Sequence, residues 1–105
     1  MAPEVKQAVW KYLKNALASD DDKLRDRGLT GCRYLAGMHF DEIESIRDDM
    51  YSLISEYEND CDDFSIKQRC ILITTKYLLA QGMYNAGDIS KEEFEKVSEK
   101  CDKWL

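Results

Sequence analysis

The chain has 105 residues, of which 44 % are apolar and 34 % charged, with a net charge of −6, one proline and four cysteines. A chain of this length hides roughly 65 % of its unfolded surface, enough for one core without metal or disulfide staples, and its apolar content excludes a disordered polymer. There is no membrane-length apolar run and no signal-peptide core, and scarce proline and glycine remove the punctuation of an all-β fold, so one all-α domain in the cytoplasm is expected.

The first helix is predicted from about Glu4 to Ala18: Pro3 suits a helix start, and Val5, Ala8, Val9, Tyr12, Leu13, Ala16 and Leu17 repeat at helical spacing. Trp10 lies off that stripe, about 140° from Val5 at 100° per residue. The aspartates at 20–22 close this helix and open a second that reaches about Gly37, with Leu24, Gly28, Cys32, Leu35 and Ala36 on one side. Gly28 and Gly31 weaken it by about 1 kcal/mol each relative to alanine, which points to a close helix crossing on that bare face.

A third helix, capped by Asp41, buries Ile43, Ile46, Met50, Leu53, Ile54 and Tyr57 and turns Glu42, Glu44, Asp48, Asp49 and Glu56 outward. Residues 58–64 form a loop carrying Asp60, Asp62 and Asp63. Ser65 caps a fourth helix running to about Met83. That helix is apolar on several sides: Ile66, Cys70, Ile73, Tyr77 and Ala80 form one stripe, Ile71 with Leu78 and Leu72 with Leu79 two more. Such a helix is central in a bundle or part of an interface. A turn at 85–88 and the S-x-x-E capping box Ser90–Glu93 open a last helix, with Phe94, Val97, Cys101, Trp104 and Leu105 inward. The fold class is therefore all-α: a bundle of four to five mostly antiparallel helices with short loops.

Function is sought in four patterns. Gly87–Phe94 matches the second half of a calcium loop, but Gly82, Tyr84 and Ala86 stand where the first half needs oxygen donors. The segment from Tyr34 to Ile43, with its aromatic-Leu run, Gly-Met turn and acidic helix start, resembles the helix-turn-helix entry of bacterial sigma-factor-type DNA readers. That resemblance implies a transcriptional regulator using Arg25, Arg27 or Arg33. After Ile43 the pattern departs from it, because one long acidic helix replaces the basic recognition helix. No nucleophile–base pair, phosphate loop or metal motif accompanies the lone His39, so neither enzyme nor cofactor is expected. Cys32, Cys70 and Cys101 fall on apolar stripes, where a thiol acts as a small hydrophobe, and Cys61 lies among acids in a loop.

The fourth pattern is charge. Residues 41–63 hold ten acids against one base, Arg47, a net of −9, while the flanks 1–40 and 64–105 carry +2 and +1. A local excess of one sign attracts basic surfaces and repels nucleic acid and anionic membranes. The expectation is a non-catalytic module that binds a basic protein surface through Asp48, Asp49, Glu56, Glu58, Asp60, Asp62 and Asp63, with Trp10 as an apolar anchor. Size and charge are also those of phage-borne inhibitors of host nucleases, anti-CRISPR proteins among them, which implies a nucleic-acid mimic. The alternative is a homodimer joined through the spare stripes of the fourth helix.

Overall fold

The computed structural model describes residues 2–104 as five helices: α1 (Pro3–Leu17), α2 (Asp22–Met38), α3 (Glu44–Asn59), α4 (Ile66–Asn85) and α5 (Lys91–Trp104), with no strand among them. The all-α bundle expected from the periodicity is the fold. Short polar side chains set most boundaries by satisfying the free amides of a first helical turn. Asp21 accepts from the Lys23 and Leu24 amides at 2.9 and 3.2 Å ahead of α2. Ser65 and Gln68 make a reciprocal capping box ahead of α4, at 3.1 and 3.0 Å. Buried Gln68 also donates to Asp22 and Asp26 at 2.9 and 2.7 Å, tying the start of α4 to that of α2. Ser90 accepts the Glu93 amide at 3.1 Å before α5.

One cap read from the sequence fails. Asp41 does not cap α3: a turn runs through it, and Ile43 stands at the helix entry with no side-chain cap. The entry is held instead by Phe40. The Arg47 guanidinium lies 4.1 Å over the Phe40 ring and donates to its carbonyl at 3.0 Å. The other edge of that ring rests on Gly82, where any Cβ would overlap it. Gly82 lies inside α4, which continues to Asn85. The glycine that ends a helix is Gly87, at φ +82°, with Asp88 donating to the Met83 carbonyl and Gly87 to that of Tyr84 in a Schellman ending.

α4 is the hub, as its several apolar sides suggest: α2, α3 and α5 each pack on it, and α1 joins through α2. The assembly measures 35 × 34 × 19 Å, about two helices thick. Leu72 and Leu79 are fully buried in this packing, so that one of the two spare stripes is consumed within the chain, while Ile71 and Leu78 stay half-buried. The predicted close crossing exists between α1 and α2, where a Cβ on Gly28 would sit 2.9 Å from that of Ala16. α1 is rotated from its predicted stripe. Trp10, Leu13, Ala16 and Leu17 face inward, while Val5, Ala8 and Tyr12 face solvent, because the indole brings far more area to bury than Val5 or Ala8. In α5, Val97 and Cys101 are buried and Phe94 stacks on Tyr84 at 5.0 Å, but Trp104 is exposed rather than stapled inward. Leu105 lies outside the described residues. All four cysteines are free thiols.

Candidate functional site

The acidic segment folds into a row and a loop. Glu44, Asp48, Ser52 and Glu56 recur every four residues, so they climb the outward side of α3 at about 6 Å of rise and about 40° of turn per step. All four are exposed. At the far end of the strip the chain leaves α3 and presents Asp60, Asp62 and Asp63, also exposed. Neither hydrogen bond nor ion pair engages the side chains of Asp48, Glu56, Asp60, Asp62 or Asp63 among the described residues.

The loop's backbone is held from beneath. Arg69 Nε donates to the carbonyls of Cys61 and Phe64 at 3.1 and 3.0 Å, and its Nη2 to that of Asp62 at 3.1 Å. Arg25 donates to the Asp63 carbonyl at 3.2 Å and lies 4.8 Å over the Phe64 ring. Both guanidiniums therefore bind main-chain oxygens of the acidic loop, which leaves its carboxylates facing outward. Asp60 and Asp63 meet Asp20, from the turn after α1, around a cleft of about 240 Å³ backed by Arg25, Tyr57 and Phe64. At the opposite end of α3, Glu44 and Asp48 share a second cleft with Arg47 and Asp88. Neither Asp20 nor Asp88 was read as part of this face, since each is distant in sequence.

Two of the residues read as partner contacts, Trp10 and Glu58, leave the set, and a third, Asp49, is exposed but already paired. Trp10 is only 2 % exposed, so it cannot anchor a partner; its hydrophobic body belongs to the core. Its Nε1 donates to Asp49 Oδ2 at 2.7 Å, which engages Asp49 from within. Lys14 adds a 3.8 Å ion pair to the same oxygen. The Glu58 side chain is only 9 % exposed, and its Oε1 accepts from Lys76 and Lys100 at 3.2 and 2.9 Å. It lies on the side of α3 that faces α4 and α5, about 160° from Glu56 on the helix wheel. Sequence spacing alone gave no sign of either lysine, eighteen and forty-two residues away.

Those lysines line a further cleft, of about 300 Å³, between α3, α4 and α5, with Tyr51, Lys96 and Val97. Tyr51 donates to Glu93 at 3.0 Å. Its hydroxyl is held above the ordinary phenol range, by burial first and then by that carboxylate. The only histidine, His39, meets Glu42 at 2.7 Å. This hydrogen bond, followed by the attraction between the two groups, holds the Glu42 carboxyl below its usual range.

Among the described residues no three histidine, cysteine or acidic side chains converge to hold a metal ion, and no helix is long and apolar enough to cross a membrane. The chain matches no family model, no curated protein and no solved structure. Its function must be argued from the geometry.

Proposed function

We propose that this chain is a non-catalytic binding module whose acidic face, formed by Asp48, Glu56, Asp60, Asp62 and Asp63, docks on a basic surface of a protein partner. The observation that carries this reading is the contrast in how charge is used. Arg25, Arg47 and Arg69 each donate to backbone carbonyls, Arg25 pairing also with Asp22, while these five carboxylates have no cation within ion-pair distance among the described residues. A face so fixed loses little freedom on binding, and unpaired rim carboxylates steer association more than they set its lifetime. Asp20 and Asp88 extend the face at its two ends.

In its sharper form the partner surface is a groove that otherwise holds nucleic acid, and the module inhibits by occupying it. The carboxylates of Glu44, Asp48 and Glu56, about 6 and 12 Å apart along α3, support that form, because such a groove offers lysine and arginine at intervals along a phosphate chain. A cytoplasmic setting belongs to the same reading, since four free thiols suit a reducing compartment.

The test is a pull-down from nuclease-treated lysate, followed by titration of the captured partner at rising salt. A variant carrying Asn or Gln at the five positions serves as comparison. The reading expects affinity that falls steeply with salt and is lost in the neutralised variant while its helical content is unchanged. Equal affinity for both forms would place the contact elsewhere, with the exposed Tyr34 and Met38 the first surface to examine.

A further inference from the structure

The acidic face leaves the side of α4 turned away from α3 unexplained. Lys76 reaches Glu58 of α3 at 3.2 Å, and Leu78, two residues on, points about 160° away from it around α4. There, between α2 and α4, a groove of about 340 Å³ is lined by Thr30, Arg33, Tyr34, Gly37, Met38 and Leu78. We propose that this groove receives an acidic amphipathic helix of a partner protein. The apolar side chains of that helix rest on Tyr34, Met38 and Leu78, and its carboxylates meet Arg33 and Arg27.

The apolar part of the groove is held open. Tyr34 and Met38, one turn apart on α2, are 56 % and 70 % exposed. The Tyr34 ring lies 5.0 Å from that of His39, which meets Glu42 at 2.7 Å, so this wall is braced and the Glu42 carboxylate is engaged. Gly37 opens the floor. A Cβ on Gly28, Gly31 or Gly82 would overlap a neighbouring side chain, whereas one on Gly37 would rest 3.4 Å from Leu78. Crowding therefore does not require this helix-weakening residue, and its bare backbone leaves Leu78 within reach of a partner.

Charge selects the occupant. α2 carries no acid after Asp26 and α4 carries none, in a chain whose net charge is −6. Asp22 and Asp26 both accept from Gln68. Arg27, seven residues before Tyr34, falls within about 20° of it around α2 and about 9 Å along the axis from Arg33. Neither arginine makes a hydrogen bond or ion pair among the described residues. A second copy seated in the same groove would bring four arginines together, and the acidic side of α3 has no apolar side chain to fill it. An acidic amphipathic helix meets both demands, since apolar residues at i and i+3 or i+4 fill such a groove and flanking carboxylates neutralise its rim.

The experiment is a selection of phage-displayed short helical peptides against the whole chain, followed by anisotropy titration of the peptides recovered. The expected peptides are rich in Asp and Glu, with apolar residues at i and i+3 or i+4. Their affinity should fall by roughly tenfold or more in Gly37→Leu, which fills the groove, and in the double variant Arg27→Glu, Arg33→Glu. Circular dichroism checks that these variants fold; should Gly37→Leu unfold, Met38→Glu at the exposed rim reads the same groove. The variant neutralised on the acidic face should bind the peptides at least as well as the native chain, so this test is separate from that of the acidic face. An empty selection, peptides without acidic enrichment, or equal binding to native and groove variants would overturn the proposal. So would a dimer in sedimentation equilibrium that Gly37→Leu abolishes, which gives the groove to a second copy. Binding to phosphatidylserine vesicles that the peptides cannot displace would likewise overturn it in favour of a lipid surface.

Discussion

Trp10 and Asp49, thirty-nine residues apart, are joined by a 2.7 Å hydrogen bond from the indole Nε1 to Oδ2, which ties α1 to the outward side of α3. A buried indole N–H left without an acceptor is unfavourable by about 1–2 kcal/mol. Asp49→Ala should therefore lower the unfolding free energy by about that amount in urea titrations. Asp48→Ala, one residue away and unpaired, should change it by less than about 0.5 kcal/mol. Adjacent aspartates of identical charge are thus separable, one structural and one free for a partner. Equal effects of the two substitutions would show that the bond does not form in solution.

Gly28 sits where α1 and α2 cross, and its missing side chain is required there. Alanine would gain up to about 1 kcal/mol of helix propensity, yet its Cβ would lie 2.9 Å from that of Ala16 and 3.1 Å from the Leu17 amide nitrogen. Neither neighbour is the mobile end of a long side chain. Overpacking should win, with Gly28→Ala destabilising by about 1–3 kcal/mol in the same assay. A stabilised variant would mean that α1 can slide on α2.

What the sequence could convey follows the range of each interaction. Helix starts at Ser65 and Ser90 were legible because a cap and its amide lie within four residues. The buried stripe of α3 was legible because periodicity is local. α1 was read in the wrong rotation, since Val5, Ala8 and Tyr12 keep helical spacing as well as Trp10 and Leu13 do. Only the neighbouring helices decide which stripe is covered. The excess charge of 41–63 was plain, but the pairing of Asp49 and the withdrawal of Glu58 from the open face depend on Trp10, Lys76 and Lys100, all remote in the chain. The same distance hid the role of Arg25 and Arg69 beneath the acidic loop.

Glu58 and Lys76 form the most enclosed ion pair among the described residues, at 9 % and 14 % side-chain exposure. Removing one member of a buried pair strands the other. The full penalty of about 3–5 kcal/mol is reduced here because the lysine stem can extend toward water. Glu58→Ala should cost about 2–3 kcal/mol, and the double variant Glu58→Leu, Lys76→Met should recover most of it. Calorimetric unfolding of the two variants checks this. A double variant as unstable as the single one would show that packing, and not the stranded charge, carries the loss.

Alkaline stability should be set by buried thiols and phenols. Burial pushes the Cys32 thiol from an ordinary value of 9.0 up to about 12. Cys101 is raised by burial and then by Asp102, and Tyr57 by burial and then by Glu56. Tyr51 moves in the same direction. In each case the unfolded chain ionises first, so above pH 9 it binds fewer protons than the native state and stability falls as pH rises. The contribution is complete below pH 9 and is lost progressively toward pH 12. Glu42 acts with the opposite sign at the acid end: its lowered value gives stability that is present above 4.5 and lost as pH falls further. Urea midpoints should accordingly hold level near neutrality and decline above pH 9, with a shallower decline in Cys32→Ala, whatever its starting stability. A thiol reagent at pH 8 should modify half-buried Cys61 and Cys70 before Cys32, which should react only at the rate of unfolding. If Cys32 reacted as fast as Cys61 in the native protein, α2 would have to open from α1 and α4 without global unfolding.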